Sequence, residues 1–172
     1  PEQVAILLFG PTQEALAAAR TFAPVGIPFF VTSDAAAALR HRIVFIPADD
    51  HPMRLTPELR AQFMHFVSSG GILVMQPPAE NLWPEFTGLR SVAPARSRKI
   101  LSFNVPADPG FVYLGEPEEA QIQLASSPTS ESIWTTGLTP DAGAVVIARY
   151  PETSEAAMIR NAVGSGFVYT IG

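Results

Sequence analysis

Four short apolar segments, separated by helical patterns, dominate the first 80 residues. The run from Val4 to Phe9 is continuously apolar, which is typical of a strand buried on both faces. Similar segments at 27–32, 43–47 and 72–76 predict three further strands. Because helical patterns alternate with these segments, we predict a parallel sheet with right-handed crossovers.

The clearest helix signal begins at Thr56. A hydroxyl cap is followed by Pro57 at the first helical position and by Glu58 near the positive end of the helix. One apolar stripe, expected to face the sheet, consists of Leu59, Phe63, Phe66 and Val67. Gly70-Gly71 then ends the helix. Two weaker helices are predicted from Thr12 to about Phe22 and from Ser33 or Asp34 to Leu39.

The pattern changes after about Pro77. Residues 77–142 are rich in proline and contain short alternating stretches instead of helical ones. Strands are predicted at 111–114, 122–124 and 144–150, with a hairpin formed by 156–163 and 166–171. We therefore expect one domain, 1–172, with an α/β core at about 1–80 and a β-rich remainder at 81–172.

Composition excludes several classes of protein. A hydrophobic content of 47% with 16% charged residues excludes a disordered chain, and a net charge of −5 argues against nucleic-acid binding. The apolar runs are shorter than the ~20 residues of a membrane span. Without cysteine there is no thiolate chemistry or disulfide. The start at Pro1 suggests a processed protein or a segment of a longer one, and the compartment stays open between periplasmic or secreted and cytoplasmic.

Several of these segments resemble the class I glutamine-amidotransferase-like superfamily. The resemblance rests on the strand 43–47 that ends in proline, on Phe66 to Val74 with its Val-x-x-Gly-Gly-strand pattern, and on the closing segments 144–150 and 162–172. The non-catalytic version attached to carbohydrate-active enzymes, such as the trimerisation domain of family 42 β-galactosidases, is most similar. This resemblance implies an α/β fold, a flavodoxin-like doubly wound parallel sheet with a β-rich C-terminal extension.

Active members of that superfamily carry a cysteine on the turn after the fourth strand, with a histidine and a glutamate downstream. Here the turn reads Met75-Gln76-Pro77-Pro78, and no histidine follows His65. A thiolate beside a base is what attacks a carbonyl in such enzymes. The resemblance therefore implies no catalytic residue, no cofactor and no glutaminase activity.

One loop nevertheless offers candidate ligand residues. Asp49, Asp50 and His51 follow the third strand, at the edge where doubly wound folds bind ligands. They suit a metal or an acid–base pair, but also suit a solvated loop with an Asx turn. Thr12 opens a helix whose N-terminus is able to hold an anion, although a plain helix cap is the better explanation of this residue.

Candidate interface residues lie farther along the chain. Positions 90–99 hold four of the eleven basic residues: Arg90, Arg96, Arg98 and Lys99. They suit an acidic partner surface or a phosphate, but a solvated loop is the default interpretation. Trp83 and Trp134 suit an interface, a core or a sugar-stacking platform. His65 and His41, which lies between Arg40 and Arg42, are expected to be exposed.

These observations together predict a non-catalytic accessory or interaction domain of a larger, carbohydrate-active bacterial protein. Its partner would be a catalytic domain of the same chain or another subunit, and a homo-oligomer follows by analogy with the trimerisation domain. Nucleic-acid binding and a membrane span are not expected. The alternative is a hydrolase or a small-ligand-binding module that uses the Asp49-Asp50-His51 loop.

Overall fold

The computed structural model describes residues 3–9, 24, 26–47, 55–77, 85–104, 120–124 and 134–172. The chain divides into two compact units. The first unit comprises Pro1–Phe86 and Ala162–Tyr169, and the second comprises Thr87–Asn161 and Thr170–Gly172. Eleven of the described strands belong to one mixed sheet, and two more form a separate ladder.

The elements are numbered in chain order within the described residues. The helices are α1 (Ala35–Ala38) and α2 (Pro57–Ser68). The strands are β1 (Val4–Leu7), β2 (Phe29–Thr32), β3 (Ile43–Ile46), β4 (Ile72–Met75), β5 (Leu89–Val92), β6 (Arg96–Ser97), β7 (Ile100–Phe103), β8 (Gln121–Gln123), β9 (Trp134–Thr135), β10 (Leu138–Pro140), β11 (Val145–Arg149), β12 (Ala156–Val163) and β13 (Gly166–Ile171). One 3₁₀ turn spans Glu85–Thr87.

The parallel sheet predicted for the N-terminal part is confirmed. Strand β1 pairs in parallel with both β2 and β3, and β3 pairs in parallel with β4. The strand order in this part is β2-β1-β3-β4-β13. The second strand starts later than the sequence predicts, because Ile27 is 54% exposed and Pro28 has no N–H to donate to a strand ladder.

Helix α2 begins and ends where its signals predict. The Thr56 hydroxyl accepts a hydrogen bond from the Leu59 N–H (3.2 Å), and Gly70 adopts φ +106° just past the last turn. In the predicted stripe Phe63 and Val67 are buried, whereas Leu59 and Phe66 are only partly buried. The buried core around them is Ala5, Leu7, Ala38, Val44, Ile46, Leu73, Met75, Phe86 and Val168.

The predicted C-terminal hairpin is also present. Strands β12 and β13 are neighbours in the sheet, and only Gly164-Ser165 separates them. Gly164 has φ +59°, which favours glycine. A Cβ atom at Gly166 would collide with the carbonyl oxygens of Val67 and Gly71, so a side chain there would push β13 away from the end of α2.

The second unit is built from antiparallel pairs, as the β-rich prediction requires. Strand β10 pairs with β5 and β12, while β11 pairs with β12 and β7, and β7 pairs with β8. Strands β8 and β11 match the predictions at 122–124 and 144–150. One buried apolar cluster joins Ala148, Tyr150 and Ala157.

Two predicted elements, the helix to Phe22 and the strand at 111–114, lie outside the described residues. Among the residues that the structure does describe, neither helix has the length and apolar character to cross a bilayer.

Candidate functional site

The residues predicted to bind ligands fall largely outside the described part of the chain. This holds for Thr12, Asp49, Asp50, His51 and Trp83. Trp134 begins β9, and its side chain is likewise not described. The roles suggested for these residues therefore stay predictions.

Arg98 is the predicted site residue whose environment differs most from expectation. It lies between β6 and β7, and its side chain is only 1% exposed, so the expectation of a solvated loop is wrong for this residue. Arg98 Nη2 and Nε both donate to Glu155 Oε2, at 2.6 and 3.2 Å. Arg98 Nη1 donates to the carbonyl oxygen of Thr135 and to its hydroxyl. A guanidinium with this many acceptors is able to stay charged away from water.

The Tyr150 ring lies against the guanidinium of Arg98. The guanidinium carbon lies 4.5 Å from the centroid of the Tyr150 ring, within the range of a cation–π interaction. The Tyr150 hydroxyl donates to the carbonyl oxygen of Gly172 at 3.0 Å. Burial raises the pKa of Tyr150 above its ordinary value, outweighing the hydrogen bond with Thr135 and the charge of Arg98. Tyr150 is thus a neutral structural partner.

Glu155 is the hydrogen-bond acceptor that Arg96, Arg98 and Thr153 share. Besides Arg98, its Oε2 atom accepts from Arg96 Nη2 at 2.8 Å and from the Thr153 hydroxyl at 2.6 Å. Burial alone would raise the pKa of Glu155, but the hydrogen bonds from Thr153, Arg96 and Arg98 outweigh it and lower the pKa to about 2. The carboxylate is therefore ionised at every physiological pH.

The structure separates Arg90 from this cluster. Arg90 Nε lies 3.3 Å from Asp141 Oδ1, and the two side chains are 63% and 52% exposed. The three arginines at 90–98 therefore belong to two different features: Arg90 forms a solvated pair, whereas Arg96 and Arg98 both contact Glu155. Sequence reasoning missed Glu155, Thr135 and Tyr150 because the Arg98–Glu155 contact spans 57 positions and no short motif contains both partners.

A second feature is a pocket of about 600 Å³ in the first unit. It is lined by Ala36, Leu39, Arg40, His41, Arg42, Gln62, His65, Phe66, Ser69, Gly70 and Gly71. The segments 40–42 and 70–71 lead directly into the parallel strands β3 and β4. The pocket therefore lies at the amino ends of these strands, opposite to the edge where ligand binding was predicted.

The two histidines of this pocket differ in burial. His65 is exposed, as predicted, whereas His41 is half-buried, contrary to prediction. The His41 ring stacks on Phe30 with 5.3 Å between centroids, and its Nδ1 lies 3.3 and 3.2 Å from the carbonyl oxygens of Ala37 and Ala38. These contacts with β2 and α1 remove part of the ring from water.

Comparison with solved structures identifies proteins that share this fold. A ThuA-like protein from Parabacteroides merdae ATCC 43184 superposes with a TM-score of 0.65 at 12% identity, covering 99% of this chain and 78% of that one. A catalytic mutant of Gan42B, a GH42 β-galactosidase from G. stearothermophilus, superposes with a TM-score of 0.61 at 18% identity, covering 100% of this chain and 27% of that one.

The exo-β-1,4-mannosidase Op5Man5 from Opitutaceae bacterium strain TAV5 gives a TM-score of 0.60 at 13% identity, with 99% of this chain and 30% of that chain covered. This chain thus spans less than a third of the two glycosidases that it resembles. No protein-family model and no curated protein sequence matches it. At these identities the similarity establishes the fold alone.

Proposed function

We propose that this chain is a non-catalytic accessory domain of a larger, carbohydrate-active bacterial protein. The observation that carries the proposal is the structural match to segments of a β-galactosidase and an exo-mannosidase. Nearly the whole of this chain superposes on about 27–30% of each glycosidase, so the shared fold is one part of each of those proteins.

The finer assignment is a flavodoxin-like member of the amidotransferase-like superfamily that lacks the nucleophile. The order β2-β1-β3-β4 with parallel pairing is the order of flavodoxin-like doubly wound sheets, which supports this assignment. Strand β4 ends at the buried residue Met75, and Gln76-Pro77 follows. The side chains at this turn offer no thiol or hydroxyl to attack a carbonyl.

The chemistry of Glu155 also supports a structural role. A general acid needs a raised pKa, close to the working pH, and a proton to give. The pKa of Glu155 is lowered to about 2, and its Oε2 atom accepts hydrogen bonds from Arg96, Arg98 and Thr153. Such a carboxylate stabilises the fold around it instead of transferring protons.

A partner surface on the second unit fits this role better than a catalytic site does. Of the three arginines at 90–98, Arg90 and Arg96 are exposed and are candidates for contact with a partner, whereas Arg98 is buried. Arginine is enriched at interface hot spots. The proposed partner is a catalytic domain of the same chain or of another subunit, and self-association remains part of the proposal.

The test of this proposal combines an activity assay with a binding assay. The isolated chain should release no nitrophenol from a panel of nitrophenyl glycosides and no ammonia from glutamine. It should associate with the glycosidase domain of its own full-length protein, as measured by light scattering of the separate and mixed pieces. Turnover by the isolated chain would overturn the proposal. So would the absence of any association, with itself or with that domain.

The alternative that assigns a metal or ligand to Asp49, Asp50 and His51 is tested separately. A divalent ion that binds only the native state raises the melting temperature by mass action. We expect no such rise with Mg²⁺, Zn²⁺ or Ca²⁺. A saturable rise that disappears in an Asp49→Ala/His51→Ala double variant would favour the alternative instead.

A further inference from the structure

We propose that the pocket at the amino ends of β3 and β4 binds a small molecule that carries a phosphate or carboxylate group. This inference does not rest on the proposed accessory function, because it uses only residues of the first unit. The volume of about 600 Å³ lies within the range of roughly 300–1,000 Å³ that is usual for ligand pockets. Leu39 and Phe66 supply the apolar lining that such pockets generally have.

The charges of the residues that line the pocket favour an anionic ligand. Arg40, His41, Arg42 and His65 all line the pocket, and none of its described lining residues is an aspartate or glutamate. The whole chain carries a net charge of −5, so this concentration of basic side chains runs against the overall composition. An oxyanion is the group that arginine binds most specifically, through paired N–H donors.

Among the described residues, Arg40 and Arg42 lack the carboxylate partners that four other arginines have. Arg60, Arg90, Arg96 and Arg98 each contact a carboxylate. Within the described ranges, neither Arg40 nor Arg42 forms an ion pair. Both are exposed at the pocket, so their guanidinium donors are available to a ligand from solution.

The His41 ring has a fixed orientation at the pocket, because it contacts two carbonyl oxygens and the Phe30 ring. Both groups near its Nδ1 atom are carbonyl oxygens, Ala37 O at 3.3 Å and Ala38 O at 3.2 Å, so Nδ1 is the nitrogen that carries the proton. In this tautomer of the neutral ring Nε2 is a hydrogen-bond acceptor, so it suits a hydroxyl group of the ligand, while the two arginines supply the donors for the oxyanion. Stacking on Phe30 fixes the plane of the ring, which reduces the entropy lost when the pocket is occupied.

A purely structural explanation of these cations makes a different prediction. Basic side chains near a helix C-terminus interact favourably with the helix dipole, and the lining residues lie near the ends of α1 and α2. Under this explanation, neutralising Arg40 and Arg42 lowers stability but changes no binding equilibrium. The proposed ligand site requires the opposite, a binding equilibrium that depends on these two residues.

The experiment uses three hexoses that differ in one group. Glucose 6-phosphate, glucuronate and uncharged glucose are titrated into the 172-residue chain at fixed ionic strength, with inorganic phosphate as a bare anion. Calorimetry measures the Kd, and NMR follows the ring resonances of His41 and His65. We expect saturable binding of at least one anionic hexose with shifts of both histidines, and no binding of glucose. Glucose 6-phosphate against glucuronate then separates a phosphate site from a carboxylate site.

Two double variants with the same change in charge provide the decisive comparison. Arg40→Gln/Arg42→Gln should weaken anion binding at least about tenfold, because two charged donors are lost from the pocket. Arg60→Gln/Arg90→Gln should leave the Kd within about twofold, since neither residue lines the pocket. All four side chains lie at the surface, and thermal unfolding confirms that each variant folds. No anion binding by the parent, equal binding of glucose, or equal weakening in both variants would overturn the proposal.

Discussion

The first unit buries an apolar cluster between α2 and parallel strands, whereas the second buries an arginine with a glutamate beside it. In the first unit, Phe63 and Val67 project from one helix face into a cluster of buried apolar residues. In the second, Arg98 and Tyr150 have the two largest fully buried side chains among the described residues, and they contact each other. Burial of apolar surface is non-directional, whereas a buried ion pair depends on the position of every hydrogen-bond partner.

This difference decides how each unit responds to substitution. An apolar core loses transfer free energy and gains a cavity, in proportion to the atoms removed. A buried network loses more than one contact when a single partner goes, because the remaining polar groups stay buried without partners. The following four predictions, from the largest expected effect to the smallest, test this distinction.

Phe63→Ala is expected to have the largest effect. Phe63 is 1% exposed and belongs to the buried apolar core of the first unit. Its truncation should lower the free energy of unfolding by about 4 kcal/mol, because the apolar contacts are lost and the packed surroundings collapse only partly. Guanidinium unfolding followed by circular dichroism measures this loss.

The neighbouring residue Met64 gives the control on the same helix. Met64 is exposed, so Met64→Ala should change the free energy of unfolding by less than about 0.5 kcal/mol. Equal losses in the two variants would mean that α2 does not use the predicted face to pack on the sheet.

Arg98→Met should have the next largest effect, about 3 kcal/mol. The variant retains an apolar side chain of similar length, but leaves the Thr135 carbonyl oxygen and the Glu155 carboxylate without this partner. It also removes the cation–π contact with Tyr150. The same unfolding measurement applies, at neutral pH.

Two further variants sharpen this result. Arg98→Lys keeps the charge but loses the planar fork, so we expect an intermediate loss. Arg98→Met/Glu155→Met should recover part of the loss of Arg98→Met, because no orphaned carboxylate remains. A double variant less stable than Arg98→Met would show that Glu155 contributes through its other partners, Arg96 and Thr153.

The contrast between the apolar cluster and the Arg98 network also explains which features of the fold were predictable from the sequence. The four parallel strands, the Thr56 cap and the Phe63–Val67 face depend on residues a few positions apart, and their local patterns predicted them, whereas the short strands β5, β6, β7, β9 and β10 were not predicted. The start of β2 was misplaced because Pro28 interrupts an otherwise apolar segment. The network of Arg98 was not predictable, since Thr135 and Glu155 lie 37 and 57 positions away. The pocket is similarly composed of residues from α1, α2 and the turns that follow them.

The third prediction concerns pH and Glu155. Its folded-state pKa of about 2 lies below the ordinary value of 4.5, so the folded protein binds fewer protons than the unfolded chain across this interval. The resulting stability is fully present above about pH 4.5 and is lost as the pH falls toward 2. We expect about 1–2 kcal/mol from this group, reduced by solvent screening because the side chain is 24% exposed.

Urea midpoints measured at pH 6, 4 and 2.5 check this dependence. Glu155→Gln should be less stable than the parent at pH 6 and should lose part of the decline toward acid pH, since its side chain cannot titrate. If the parent and the variant decline in parallel, other carboxylates account for the acid sensitivity, and the network around Glu155 is weaker than its geometry indicates.

The smallest effect is expected for Arg90→Gln. Arg90 and Asp141 form the exposed counterpart of the Arg98–Glu155 pair within the same unit, with side chains that are 63% and 52% exposed. Water and salt screen such a pair, so the variant should differ from the parent by less than about 0.5 kcal/mol. A double-mutant cycle with Asp141→Asn isolates the coupling between the two residues. A coupling above about 1 kcal/mol would mean that exposure does not distinguish the two arginines, and the contrast between a solvated pair and a buried network would fail.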